Sequence, residues 1–494
     1  MALVLLATLC ACSGPAEGPQ SAGPEKSKKR DRGVVLPLRQ NPLMTSAAKQ
    51  RGPEARLQLH QQRIDPARPN GFSVEPVLAS YHNDGVDHLV LGWHHYAPGP
   101  TRDALRLGTA VSHDSAQSWD VQIIDRVSNL GSIQYDPFAA ADGVSQTLFL
   151  GALAIRAFND EPPNTQEIGM YLASASGLAP LSVPAVIGRD PEDKPAAVFA
   201  QNAQSSSGTL FIAAAAKHRR SNDLGQSFQS LTNGELGFAS VGHQPVIFAN
   251  GEVINIAIGF AANQPLTITT IRSTDLGTTL TPRRTARTLN YASLMTLDSA
   301  VPGRFRMAPF GQAALTPNGR LYYAFPEIVS EQAGERNVDV LLISSDDRGM
   351  SWSNPIRVNS EGVTPRDQFM PAMTISPDGV IHLVYADTRR STQPDASISV
   401  EIDFVYARSG DGGLSFTESF LTDAPIDVSN VAWRPYQNDS PAYYIGDYLA
   451  ITSPSRHAVY IAHPDRESSD PEQLTMMLSR VSISDAVFSD GFEQ

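Results

Sequence analysis

The sequence predicts an all-β fold assembled from a repeated four-stranded unit, and three observations predict it. A turn phrase of the form Ser-x-Asp-x-Gly-x-(Ser/Thr) occurs four times in full. A proline-led apolar strand, followed by a turn and a second apolar strand, recurs along the chain. Gly and Pro, at 36 each in 494 residues, favour short strands and turns over long helices.

The full copies of the turn phrase are SNDLGQSF (221–228), STDLGTTL (273–280), SDDRGMSW (345–352) and SGDGGLSF (409–416). A fifth, SHDSAQSW (112–119), has Ala116 in the glycine place. From average residue usage the pattern arises at roughly one position in thirty thousand, so its recurrence is not accidental. Each full copy follows an apolar run such as VDVLLIS or IDFVYAR. The aspartate can accept hydrogen bonds from turn amides, and the glycine can take positive φ at low cost. The aromatic residue that closes most copies can pack over a neighbouring sheet. Asp114, Asp223, Asp275, Asp347 and Asp411 are therefore read as structural, holding hairpins closed.

Upstream of the turns, Pro76, Pro137, Pro195, Pro245, Pro309 and Pro371 each lead an apolar strand, and Asp447 takes the place in a seventh unit. Second strands follow in the same order, among them HLVLGW, VINIAI, IHLVYA and AVYIAH. Spacings of 50 to 64 residues between prolines suit one four-stranded unit each.

The turn phrase resembles the Asp-box, or bacterial neuraminidase repeat, of the sialidase superfamily, and through its repeats the resemblance covers most of residues 70–483. It implies a β-propeller whose blades carry the box on an outer hairpin. Seven blades are expected, with six as the alternative if residues 71–125 cap the structure or the chain ends combine. The expected organisation is a signal peptide at 1–12, a tether at 13–65, the propeller at 66–483 and a tail at 484–494.

The N-terminus supports the tether. MALVLLATLCAC resembles a bacterial lipoprotein signal, with Leu9, Ala11 and Cys12 in the lipobox places and Cys12 as the lipidated residue. A Pro/Gly/Ser-rich spacer and the basic run KSKKRDR follow, a composition that buries no core. Both cysteines lie in the first twelve residues, so the body can form neither an internal disulfide nor a Cys-ligated zinc site. The expectation is an exported protein: a cell-envelope lipoprotein of the outer membrane or cell surface, or a secreted one. Membrane contact would run only through the lipid.

Charge narrows the partners. Residues 1–63 carry ten Lys and Arg against four acidic residues, leaving 28 basic against 47 acidic in the body. An acidic body repels phosphates, so no nucleic-acid partner is expected. No phosphate-binding loop, dinucleotide fingerprint or nucleophile elbow is present, and no cofactor or metal is expected. His94 and His95 read as a surface pair without a third ligand at metal spacing. Glu327 and the Asp387/Arg389 pair read as ion pairs across loops.

The resemblance implies, for a sialidase, three arginines around the substrate carboxylate, a Tyr nucleophile assisted by Glu, and an Asp acid/base. The first arginine would stand two residues before the first strand proline, where this chain has Val74. No unit has arginine there, and efficient sialoside hydrolysis is not expected. The residues just ahead of the inner strands remain the candidate pocket lining. Tyr448, Arg306, Arg366 and Asp447 are candidates for a diverged catalytic site, and Asp136, Lys194, His243 and Asp367 for ligand binding. The favoured function is a monomeric binding propeller that takes a glycan or an envelope protein at its channel mouth, with an exo-glycosidase as the alternative.

Overall fold

A computed structural model describes residues 56–65, 72–96, 105–124, 133–155, 166–174, 185–188, 194–200, 208–214, 218–231, 239–261, 264–290, 307–332, 335–360, 366–392, 401–428, 445–467 and 470–484. Within them, strands pair antiparallel into seven four-stranded sheets, one of which gains a further short strand, Ile426–Asp427. In chain order the first six span 72–124, 133–188, 196–231, 239–288, 312–357 and 368–420. The seventh joins the last three strands, from 450 to 484, to the first strand of the chain, Arg56–Arg63. The innermost strand of each sheet touches those of its two neighbours, and the seventh touches the first. The fold is an all-β propeller.

Burial follows from that ring. Second strands such as Val253–Phe260 and Ile381–Asp387 are buried along their whole length, because the sheets cover both of their faces. They read as near-continuous apolar runs for the same reason. Outermost strands such as Thr417–Phe420 are largely exposed and polar. The innermost strands turn a free edge to the axis, where proline costs no ladder hydrogen bond. Pro76, Pro137, Pro195, Pro245 and Pro371 line the axial channel accordingly.

All five copies of the turn phrase join a third strand to a fourth, at the end of the propeller opposite the strand prolines. In the fifth sheet Ser345 Oγ donates to Asp347 Oδ1 at 2.8 Å and accepts the Gly349 amide at 2.7 Å. The Ser351 amide donates to Asp347 Oδ1 at 2.8 Å, and the Ser351 hydroxyl to Oδ2 at 2.5 Å. Asp114, Asp223, Asp275 and Asp411 are held by the corresponding groups. Every fixed letter of the phrase thus has a hydrogen-bonding partner or a backbone reason.

The glycine has two reasons. Gly349 has φ +75°, and a Cβ there would lie 2.3 Å from Ile254 Cδ1 in the preceding sheet. The turn therefore also sets how closely two blades approach. The residue before the glycine is left-handed as well, at Leu224, Leu276 and Arg348, which the sequence reading did not anticipate. Ala116 adopts φ +64° in the fifth copy and is buried, so the same turn persists at a strain of about 1–2 kcal/mol.

One boundary needs correction. Residues 56–63, assigned above to the tether, pair from Arg56↔Ser484 to Arg63↔Met477 and form the outer strand of the seventh sheet. Their polar alternation, RLQLHQQR, suits an outer edge strand and so resembled a tether. Cys12 and the tail beyond Ser484 lie outside the described residues.

The turn carboxylates make the fold acid-sensitive. Hydrogen bonds from Ser351 hold Asp347 down from 3.8 to about 2, and similar bonds outweigh slight burial at the other four aspartates. A depressed carboxylate stabilises the fold fully above its unfolded value and loses that contribution as pH falls through the folded one. Stability is therefore expected to decline between about pH 4 and about pH 2. Asp347→Asn should make that decline shallower and cost about 1 kcal/mol at neutral pH, because the carboxylate is exposed. Urea unfolding of both proteins across this range checks it, and parallel curves would contradict the assignment.

Candidate functional site

The site lies at the end where the innermost strands begin. Glu75, Asp136, Lys194 and Met370 each stand directly before a strand proline, and each has positive φ, at 55°, 46°, 43° and 53°. A left-handed non-glycine residue costs about 1 kcal/mol or more. Register breaks at Val74/Val77, Tyr135/Phe138 and Phe369/Ala372 show three of these residues to be inside bulges. A bulge re-aims the side chain it carries. Here it turns Glu75 and Asp136 out of strand alternation and towards their neighbours.

Those neighbours link successive blades. The Asp447 amide, in the seventh unit, donates to Glu75 Oε1 at 3.1 Å. Glu75 Oε2 lies 2.9 Å from His94 Nδ1. His94 Nε2 accepts the amide of Asp136, and Asp136 Oδ2 accepts the amide of Lys194 at 3.2 Å. The Lys194 side chain then crosses the mouth, with Nζ 3.8 Å from the Phe310 ring centre and 4.0 Å from that of Tyr448. The circuit returns to the residue beside Asp447.

Below it runs an axial channel with a cavity of about 130 Å³, whose lining includes Lys194, His243, Phe310, Gln312, Asp447 and Tyr448. No arginine lines it among the described residues. His243 accepts no charge there: burial, with His218 beside it, pushes its imidazole down to about 3.

Glu75, His94 and Asp136 offer atoms within 4.8 Å of one another, a spacing that metal ligands also show. The hydrogen bonds give a different account. A nitrogen that accepts an amide proton carries none, so the neutral His94 ring keeps its proton on Nδ1, facing Glu75. Coordination through Nδ1 would need the opposite tautomer, and Nε2 is already engaged. Burial lowers the His94 pKa, but the carboxylates of Glu75, Asp136 and Asp447 outweigh it and raise the net value.

Four of the candidate residues, Lys194, His243, Asp447 and Tyr448, line the channel. Asp136 stands behind the mouth, in the inter-blade circuit. Asp367 does not reach the channel: it is buried, and its carboxylate accepts the Val338 amide at 3.0 Å, tying the fifth sheet to the sixth. Arg366, partly buried at the approach to its strand, is also absent from the lining. Arg306 lies outside the described residues. Glu327 pairs with Arg287 at 2.6 Å and Asp387 with Arg389 at 2.6 Å, the ion pairs expected of them.

Sequence reasoning misread two residues and missed a third. His94 and His95 are buried at 4% and 1% exposure and not at the surface, because the second strand continues through them to Tyr96. Glu75 was passed over, although an acid directly before a strand proline is shared with Asp136 and was a usable signal. A Tyr–Glu pair also exists away from the axis. The Tyr385 hydroxyl donates to Glu418 Oε1 at 2.5 Å, but Tyr385 is fully buried and its pKa is pushed far up, the reverse of an activated nucleophile.

No protein-family model and no curated protein matches the sequence. Solved structures with a similar fold include a protein of unknown function from Dyadobacter fermentans, at 11% identity and TM-score 0.45 over 87% of this chain and 99% of that one. An α-L-arabinanase of Penicillium chrysogenum aligns at 13% identity and TM-score 0.42, over 83% of this chain and 93% of that one. The NanB sialidase of Streptococcus pneumoniae aligns at 12% identity and TM-score 0.41, over 83% and 68%. These are likenesses of fold.

Glu75→Gln keeps an oxygen for the Asp447 amide and removes the charge facing His94. The variant is expected to fold and to show a lower His94 pKa, followed by NMR of the ring protons. An unchanged pKa would mean that Glu75 does not control that ring.

Proposed function

We propose that this protein is a binding propeller that takes a glycan, or a protein carrying one, at its channel mouth, and that it does not hydrolyse sialosides efficiently. The observation that carries the reading is the make-up of the mouth. Two aromatic faces, Phe310 and Tyr448, share the channel lining with Asp447, and no arginine lines it among the described residues. Aromatic faces with a few convergent polar groups suit a sugar ring. A sialic acid carboxylate instead calls for converging guanidinium groups. With Val74 buried in the core where the first would stand, that grip is weaker by several kcal/mol, a rate factor of about a hundred or more.

A second reading, an exo-glycosidase for a neutral sugar, is favoured by Glu75 and Asp136. Their closest carboxylate oxygens come within 4.8 Å, near the separation of about 5–5.5 Å at which two carboxyl groups support a retaining mechanism. The near-complete burial of Glu75, and its engagement with the Asp447 amide, weigh against it.

The deciding assay is turnover of fluorogenic sialosides and neutral arylglycosides by the full chain, beside Tyr448→Phe and Asp136→Asn. The binding reading expects no turnover and retained glycan binding. Sialoside turnover abolished by Tyr448→Phe would install Tyr448 as nucleophile, and neutral-sugar turnover abolished by Asp136→Asn would install the glycosidase.

We also propose that Cys12 anchors the protein to an envelope membrane. Arg56 pairs with Ser484 at the turn end of the propeller, so a tether joining there leaves the mouth on the opposite face. Cys12→Ser should move the protein from the membrane to the soluble fraction of a bacterial host, and equal partitioning would refute the anchor.

A further inference from the structure

We propose that the mouth is a cage for an ammonium group, at present filled by the protein's own Lys194, and that its glycan carries a free amine. The inference rests on the reading of the mouth as a glycan site and names the ligand class. Lys194 starts ahead of the third sheet, yet its ammonium lies between rings that precede the innermost strands of the fifth and seventh. Two ring faces from separate blades, each about 4 Å from one cation, form a site that recognises positive charge. The Asp447 carboxyl lines the same channel and is 7% exposed. Asp136 and Glu75 stand behind it and add two acidic side chains to that end of the propeller. His243, the other basic side chain of the lining, is held neutral and does not compete for the role.

The Lys194 ammonium sits on the two rings, and separate groups hold its backbone. The backbone is fixed by positive φ and by the amide bond to Asp136. The side chain is a flexible four-carbon stem that can swing out. A ligand ammonium would take the same two ring faces while its sugar ring covers the mouth. Lys194 is thus a built-in competitor that sets the affinity threshold. A neutral or N-acetylated sugar lacks the charge that the cage selects. A simple alkylammonium has the charge but lacks the sugar contacts.

Calorimetric titration of the full chain tests this with three probes: a glucosamine tetramer under conditions where its amines are charged, an N-acetylglucosamine tetramer, and tetramethylammonium. Lys194→Ala is expected to bind the glucosamine tetramer about tenfold or more tightly than the parent, as removal of an internal competitor of this strength allows. Tyr448→Ala added to it should abolish the gain, whereas Tyr448→Phe, which keeps the ring face, should preserve it. Lys194→Met, which keeps the stem volume without the charge, serves if the alanine variant does not fold. An equal gain for the N-acetylated tetramer would overturn charge selection while leaving the glycan reading intact. A gain for tetramethylammonium alone would overturn the amino-glycan assignment. No binding of either tetramer by any of the proteins would overturn both the inference and the glycan reading.

Discussion

The ring depends on one set of main-chain hydrogen bonds. Arg56–Arg63 lies along the strand from Asp470 to Ser484 and completes the seventh sheet with residues from the far end of the chain. Without it that sheet would end on a three-stranded edge, and closure would rest on side-chain contacts between the first blade and the last, such as the Tyr460 hydroxyl on Asp87 at 2.7 Å. Closure also fixes the axis. Only because the seventh innermost strand meets the first does the Asp447 amide reach Glu75, which sits 372 residues earlier. The mouth is a consequence of closure.

Within the ring, blade packing and turn chemistry support each other. The second strands are sandwiched between sheets and buried along their length, in a core that runs through every blade. The repeated turns work at the rim, where little is buried. Their aspartates organise seven or eight residues with exposed hydrogen bonds, and their glycines bring one blade's turn against the preceding blade's second strand, as Gly349 against Ile254 and Gly277 against Phe211. This division explains why the second sheet can lack a good copy of the phrase. Packing holds a blade, and the turn refines its spacing.

At the opposite end, polar chemistry takes over from packing. Four left-handed residues ahead of prolines hold strain that the surrounding hydrogen bonds offset, and the acids among them point at neighbouring blades. The circuit from Asp447 through Glu75, His94 and Asp136 to Lys194 spans four blades and ends in a cation held between two rings. A rim tied together by hydrogen bonds from blade to blade suits a binding site, because its groups are placed before any ligand arrives.

The sequence by itself determined the all-β class, the order of inner and second strands, and the chemistry of the repeated turns. Those features rest on contacts within seven residues or on simple alternation, and so they are written locally: Ser345, Asp347, Gly349 and Ser351 find one another inside a single turn. Four channel residues were legible too, since the chain enters each inner strand beside the axis. The tertiary structure alone decided the rest. Residues 56–63 look like a tether until Ser484 is beside them, and His94 looks exposed until bulges at Glu75 and Asp136 close over it. Asp367 precedes an inner strand and still turns to the Val338 amide. Each of these outcomes depends on where a sheet bulges and on which blade comes next, and no stretch of neighbouring residues encodes either.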